Sequence, residues 1–93
     1  HRYSSAASDV YKRQDMVMVK PGMPYLDIIS LIKKKFQIPI IAYQVSGEYS
    51  LIMNGIKRNI VNEKAIIESL ISFKRAGANA IVTYFADRIL KYL

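Results

Sequence analysis

Cysteine is absent from the 93 residues, so the chain can build neither a disulfide framework nor a thiolate metal site from its own sequence. Histidine occurs once, as the first residue. No apolar run reaches the ~18 residues of a membrane span, because Lys20, Lys33 to Lys35, Glu48 and Lys57 interrupt every candidate. A soluble protein with no membrane partner is expected. Acidic residues are also scarce, seven against fourteen Lys and Arg, which leaves a formal charge of +7. Such a surplus suggests nucleic acid, but a binding patch gathers its cations on one face with stacking aromatics between them. Here Lys33, Lys34 and Lys35 close one predicted helix, and Lys74 with Arg75 close another. Cations there complement the helix dipole and face solvent. No nucleic-acid partner is expected.

What the chain does have is a 52% hydrophobic content, enough to demand a buried core. A domain this short buries a smaller fraction of its surface than a large one, so a chain so rich in Ile, Leu and Val reads as a piece of something larger. The first fourteen residues stand apart. Ser4 to Gln14, SSAASDVYKRQ, is polar and aperiodic and joins abruptly onto DMVMVK at Asp15. All eleven residues resemble the in-frame translation of a transposase sequencing adapter, and residues 1–14 are expected to be a cloning or assembly scar. The alternative is a natural disordered leader. Setting the segment aside removes Arg2, Lys12, Arg13 and Asp9, three cations and one anion, so the remainder is less basic than the whole.

Residues 15–93 alternate short strand-like runs with helical patterns. Met16 to Lys20 is an apolar run ending in Lys and stopped by Pro21 and Gly22, which predicts a buried strand. Tyr25, Ile28, Ile29, Ile32 and Phe36 recur at helical spacing, with Pro24 near the start and three lysines at the end. Ile38 to Ser46 reads as a second strand, with Pro39 tolerable only at its beginning, and Gly47 breaks it. A short amphipathic segment follows with Tyr49, Ile52, Met53 and Ile56. Asn62 is a good N-cap for a helix striped by Ile66, Leu70 and Phe73, which Gly77 ends in the C′ position. Ala80 to Phe85 is a third strand, and Asp87 to Leu93 begins another helical pattern. The predicted order is β-α-β-α-β-α.

Strands apolar on both faces and joined by helical crossovers indicate an α/β protein with a parallel sheet covered by helices. The repeat of roughly 26 residues per unit suits a (β/α)8 barrel, whose full length is near 250 residues. A flavodoxin-like sheet is the structural alternative. In either, reactive groups gather at the C-terminal ends of strands. Lys20 ends the first strand, Ser46 the second, and Tyr84 lies one residue from the end of the third. Alternation puts Lys20 on the face of Met16 and Met18, so its stem should leave an apolar wall with its ammonium partly desolvated. A lysine held neutral attacks a ketone or aldehyde and forms a Schiff base. The competing reading is a strand-end lysine that merely reaches solvent. Ser46 can equally cap the turn before Glu48, and Tyr84 can equally be a core aromatic.

Three strings carry more. DMVMVKPGMPYLDII at 15–29, AYQVSGEY at 42–49 and FKRAGANAIVTYF at 73–85 resemble the porphobilinogen synthases, the 5-aminolevulinate dehydratases, and the resemblance spans essentially all of residues 15–93. It implies the last three βα units, strands 6 to 8, of a (β/α)8 barrel. It also implies the activity of the parent family, a lyase of tetrapyrrole biosynthesis that joins two molecules of 5-aminolevulinate into porphobilinogen with loss of two waters. Lys20 falls on the lysine that forms a Schiff base with the substrate ending as the propionate side of the product. Ser46 and Tyr84 fall on the residues that bind that substrate's carboxylate. Tyr43 and Gln44 are expected to shape the pocket.

By the same resemblance, the other lysine, the arginines for the second substrate and the ligands for zinc or magnesium belong upstream, so no cofactor is expected on these residues. The 93-residue chain alone is expected to be inactive. The parent is expected to be cytoplasmic, or plastid in an alga or plant, and a homo-oligomer, an octamer. Two other readings are weaker. An aldolase-like Schiff-base barrel acting on phosphorylated substrates would want a glycine-rich phosphate loop after its last strands, and none follows Ala80 to Phe85. A stand-alone helix-and-sheet binding module would have to bury both edges of a three-stranded sheet.

Overall fold

Pro21 and Gly22 stop the first apolar run, and strand β1 occupies Val17–Val19. A 3-10 turn at Met23–Tyr25, containing Pro24, leads into helix α1, Leu26–Lys35, whose last turn holds the three lysines. Strand β2 is Ile40–Gln44, and two helices follow, α2 at Ser46–Lys57 and α3 at Lys64–Ala76. Strand β3 is Ala80–Thr83, and a short helix α4 spans Ala86–Ile89. This computed structural model describes residues 16–89, and the segment read as a scar lies outside them.

The three strands form one parallel sheet in the order β1-β2-β3. Val17 pairs with Ile40 and Val19 with Ala42, while Ala42 pairs with Ile81 and Gln44 with Thr83. Paired residues in a parallel ladder share a face, so the sheet sorts into two sides. On one side Val17, Val19, Ile40 and Ala42 are buried with Ile29 and Ile32 of α1 and Ile66, Leu70 and Phe73 of α3. The other side is open. Met16, Met18 and Val82 remain 49%, 45% and 41% exposed. Parallel sheets are normally covered on both faces, so this one is half of a layered structure, as the apolar strands imply.

Each strand is shorter than the sequence suggests: the first spans Val17–Val19 within the expected Met16 to Lys20, and the second begins at Ile40 rather than at the expected Ile38. The second strand ends at Gln44, and Ser46 opens a helix of twelve residues where the sequence suggests only a short amphipathic segment. Gly47 and Gly55 lower the helical propensity of that stretch and hide it. Its start is secured by Glu48, whose Oε1 accepts the Val45 N–H at 2.9 Å. That is one half of a capping box, the other half needing a hydroxyl that Val45 lacks. The third strand ends at Thr83, because its hydroxyl accepts the Phe85 N–H at 3.1 Å and turns the chain there.

The element order therefore carries two helices, not one, between β2 and β3. The caps of α3 follow the expected chemistry. Asn62 Oδ1 accepts the Lys64 N–H at 2.9 Å. At the other end Ala78 N–H reaches Phe73 O and Gly77 N–H reaches Lys74 O, both at 3.0 Å, the Schellman pattern, with Gly77 at φ +123°.

Candidate functional site at the C-terminal ends of the strands

Parallel strands leave their C-terminal ends along one edge, and the three predicted residues come from those ends. Lys20 follows β1 directly, and the alternation of exposed and buried residues through Met16, Val17, Met18 and Val19 continues into it. It belongs to the open face. The expected apolar wall is present, but partial desolvation is not: Lys20 is exposed in this chain because the face carrying Met16 and Met18 is itself open.

Ser46 occupies the first turn of α2, two residues past β2, and is exposed. Tyr84 stands in the turn after β3 and is 56% exposed among the described residues, on the same open side as Val82. Its ring lies 5.6 Å from that of Tyr49 on α2, which in turn packs at 4.6 Å against the buried Phe85. Hydrogen bonding to the Tyr43 side chain raises the Tyr84 phenol above its usual range, with Coulombic and burial effects acting the same way.

The loops that carry these groups are stitched together by one backbone–backbone and one backbone–carboxylate hydrogen bond. Just past Lys20, the Gly22 N–H donates to Tyr43 O at 2.8 Å. The next residue's N–H, Met23, donates to Glu48 Oε2 at 2.7 Å. The space under Gly22 is filled. A Cβ there would meet Phe73 Cε1 at 2.6 Å, so the loop after Lys20 rests on the most deeply buried ring of α3.

Gln44 departs from expectation. It is not on the pocket side with Tyr43 but fully buried on the helix-covered face, since alternation turns it away. There it links three elements in one relay. The Phe85 N–H donates to Thr83 Oγ1, which donates to Gln44 Oε1 at 2.6 Å. Gln44 Nε2 donates to Ser69 Oγ at 2.9 Å, and Ser69 donates to Ile66 O at 2.7 Å. Every polar atom of the relay is satisfied, so the turn bearing Tyr84 is tied through β2 to α3. A glutamine in an otherwise apolar strand is the available signal.

Among the described residues no group of three or more His, Cys, Asp or Glu could hold a metal ion. The described residues do not fit zinc or magnesium. Nor is any helix among them long and apolar enough to cross a membrane.

Comparison with known proteins bears on the whole arrangement. A family model described as delta-aminolevulinic acid dehydratase matches residues 2–92. The dehydratase of Methanothermus sociabilis is 53% identical over 83 residues, covering 89% of this chain and 26% of the relative. A chloroplastic dehydratase of Arabidopsis thaliana is 52% identical over 82 residues, covering 87% of this chain and 19% of the relative. Among solved structures, the dehydratase of Toxoplasma gondii in complex with the reaction product porphobilinogen superposes with a TM-score of 0.88 at 41% identity, covering 97% of this chain and 26% of that one. The chain thus spans about a quarter of the length of such relatives. With the fold, the sheet order and the family match in agreement over nearly all its residues, the chain belongs to the delta-aminolevulinic acid dehydratase family and is a three-stranded portion of its (β/α)8 barrel.

Proposed function

We propose that this segment supplies one substrate subsite of a porphobilinogen synthase, which condenses two molecules of 5-aminolevulinate into porphobilinogen and releases two waters. The observation that supports the reading is the position of Lys20, Ser46 and Tyr84, each within two residues past the C-terminal end of one of three adjacent parallel strands. In this reading the neutral Lys20 amine adds to the ketone carbon of one substrate, a C–N bond forms, the carbonyl oxygen leaves as water with the two amine hydrogens, and a proton taken up from solvent gives the protonated imine. Ser46 and Tyr84 donate hydrogen bonds to the carboxylate at the other end of that substrate. An ordinary tyrosine phenol is protonated at neutral pH and can donate to a carboxylate.

The boundary at residues 14 and 15 belongs to the same proposal, and it rests on composition and the adapter resemblance, since the family match itself begins at residue 2. Zinc or magnesium, where the full-length protein uses them, would be held by residues other than these. The open face carrying Met16, Met18 and Val82 would be covered by the remaining barrel strands, and the complete protein would assemble as a homo-oligomer, an octamer. Cytoplasm is the expected compartment, or a plastid if the source is photosynthetic, as the chloroplastic relative illustrates.

Two expected results test the reading. The purified 93-residue chain should form no porphobilinogen from 5-aminolevulinate, because positioning a second substrate supplies much of the barrier reduction in a two-substrate condensation. Product above the buffer rate would overturn that expectation. In a full-length dehydratase carrying this segment, Ser46→Ala and Tyr84→Phe should each lower kcat/KM by about 10- to 150-fold, the loss of one charge-assisted hydrogen bond of about 1.5–3 kcal/mol. Unchanged steady-state kinetics in both variants would remove them from the subsite.

A further inference from the structure

We infer that Glu48 is a positioning residue that sets the separation between the Lys20 amine and the Ser46 hydroxyl. This rests on the subsite proposed above. The two oxygens of its carboxylate accept from two different strand-end loops. Oε2 takes the Met23 N–H at 2.7 Å, three residues past Lys20, and Oε1 takes the Val45 N–H at 2.9 Å, one residue before Ser46. The side chain itself is only partly exposed and sits in the first turn of α2. A single carboxylate therefore bridges the β1 loop to the β2 loop across 25 residues of sequence. The Gly22 N–H to Tyr43 O bond runs beside it but joins backbone to backbone upstream of Ser46, so it leaves the start of α2 unattached.

The chemistry requires both oxygens. Two N–H donors converge from opposite sides, and a carboxylate alone among side chains of this length offers an acceptor to each. Glutamine keeps the length but turns an NH2 toward one of the donors, breaking that bond and opposing donor to donor. Aspartate keeps the charge but is one methylene short, so it reaches one loop at a time. Either change leaves Lys20 and Ser46 intact and loosens the start of α2 against the loop after Lys20, while the Gly22 N–H to Tyr43 O bond and the β1–β2 ladder remain. Glu48 touches neither the ketone nor the carboxylate of a substrate in this reading, and acts only through the two loops.

The test exploits a difference between two ketones. Levulinate presents a ketone to Lys20 and a carboxylate to Ser46, whereas acetone presents a ketone only. In a full-length dehydratase carrying this segment, borohydride reduction followed by peptide mapping reports the rate of adduct formation on Lys20. Glu48→Gln and Glu48→Asp are expected to slow trapping of levulinate by about 10- to 100-fold, the cost of misplacing reacting groups by about 1 Å. Trapping of acetone should stay within about twofold of wild type, since it needs no registration against Ser46. Equal slowing of both ketones, or slowing of neither, overturns the inference, as does failure of both variants to fold, which would make Glu48 a folding residue. Wild-type protein that traps no ketone on Lys20 would instead sink the proposed subsite.

Discussion

Replacing Lys20 by arginine in a full-length dehydratase carrying this segment is expected to lower porphobilinogen formation by about 1,000-fold or more, corresponding to about 4 kcal/mol of barrier. The positive charge and most of the stem are retained, so packing along Met16 and Met18 is little disturbed. What disappears is the nucleophile. A guanidinium stays protonated at any working pH and cannot add to a ketone, whereas a lysine amine can shed its proton and do so. Borohydride reduction in the presence of 5-aminolevulinate should mark Lys20 in the parent and leave the same position unmarked in the Lys20→Arg variant. Turnover of that variant near the parent's, with reduction marking only another lysine, would make Lys20 a strand-end residue of no chemical role. The exposure of Lys20 in this chain adds a second edge to the test. If the open face acquires its cover only in the full barrel, the amine should react with ketones far faster there than in residues 1–93 alone, because burial favours its neutral form.

The largest expected loss of stability comes from Phe73. Its ring is fully buried between the sheet and the loop after Lys20, and its carbonyl accepts from both Gly77 and Ala78 at the end of α3. Phe73→Ala should cost about 3–5 kcal/mol, read as a lowered urea midpoint of the full-length protein, since both transfer free energy and a cavity contribute. Gly22→Ala should cost about 1–3 kcal/mol by overpacking, its new methyl arriving at 2.6 Å from Phe73 Cε1. The two are in contact, so the double variant should be less destabilised than the two single losses combined, because the cavity accepts the methyl. Strict additivity would mean that Gly22 is required for some other reason, and a Gly22→Ala variant as stable as the parent would mean that the ring yields freely.

Much of the fold can be read from local chemistry. Pro21 and Gly22 after a five-residue apolar run, Pro39 at the head of the next, and Gly77 after a striped helix are punctuation that acts within a few residues, and each marks the boundary it signals. The strand ends read too long for a local reason as well. Ser46 and Tyr84 are compatible with a strand by propensity, and only the Glu48 acceptor and the Thr83 hydroxyl turn the chain before them. Helix α2 is underestimated because Gly47 and Gly55 weaken its pattern, while its burial of Ile52 and its Tyr49 contacts, which favour it, come from elsewhere in the chain.

The candidate site divides along the same line. That Lys20, Ser46 and Tyr84 follow successive strands is a matter of sequence order, and parallel crossovers necessarily bring such ends to one edge. Alternation likewise assigns Lys20 to the face of Met16 and Met18 without reference to any distant residue. Alternation also turns Gln44 away from Tyr43, but the partners Gln44 meets there, the support of Gly22 by Phe73 and the bridge made by Glu48 have no such local origin. Gln44 meets Thr83 across 39 residues and Ser69 across 25, and Glu48 meets Met23 across 25. A hydrogen bond between groups so far apart in the chain leaves no periodicity or spacing behind, because its geometry exists only once α1 and α3 have packed on the sheet and brought the loops together.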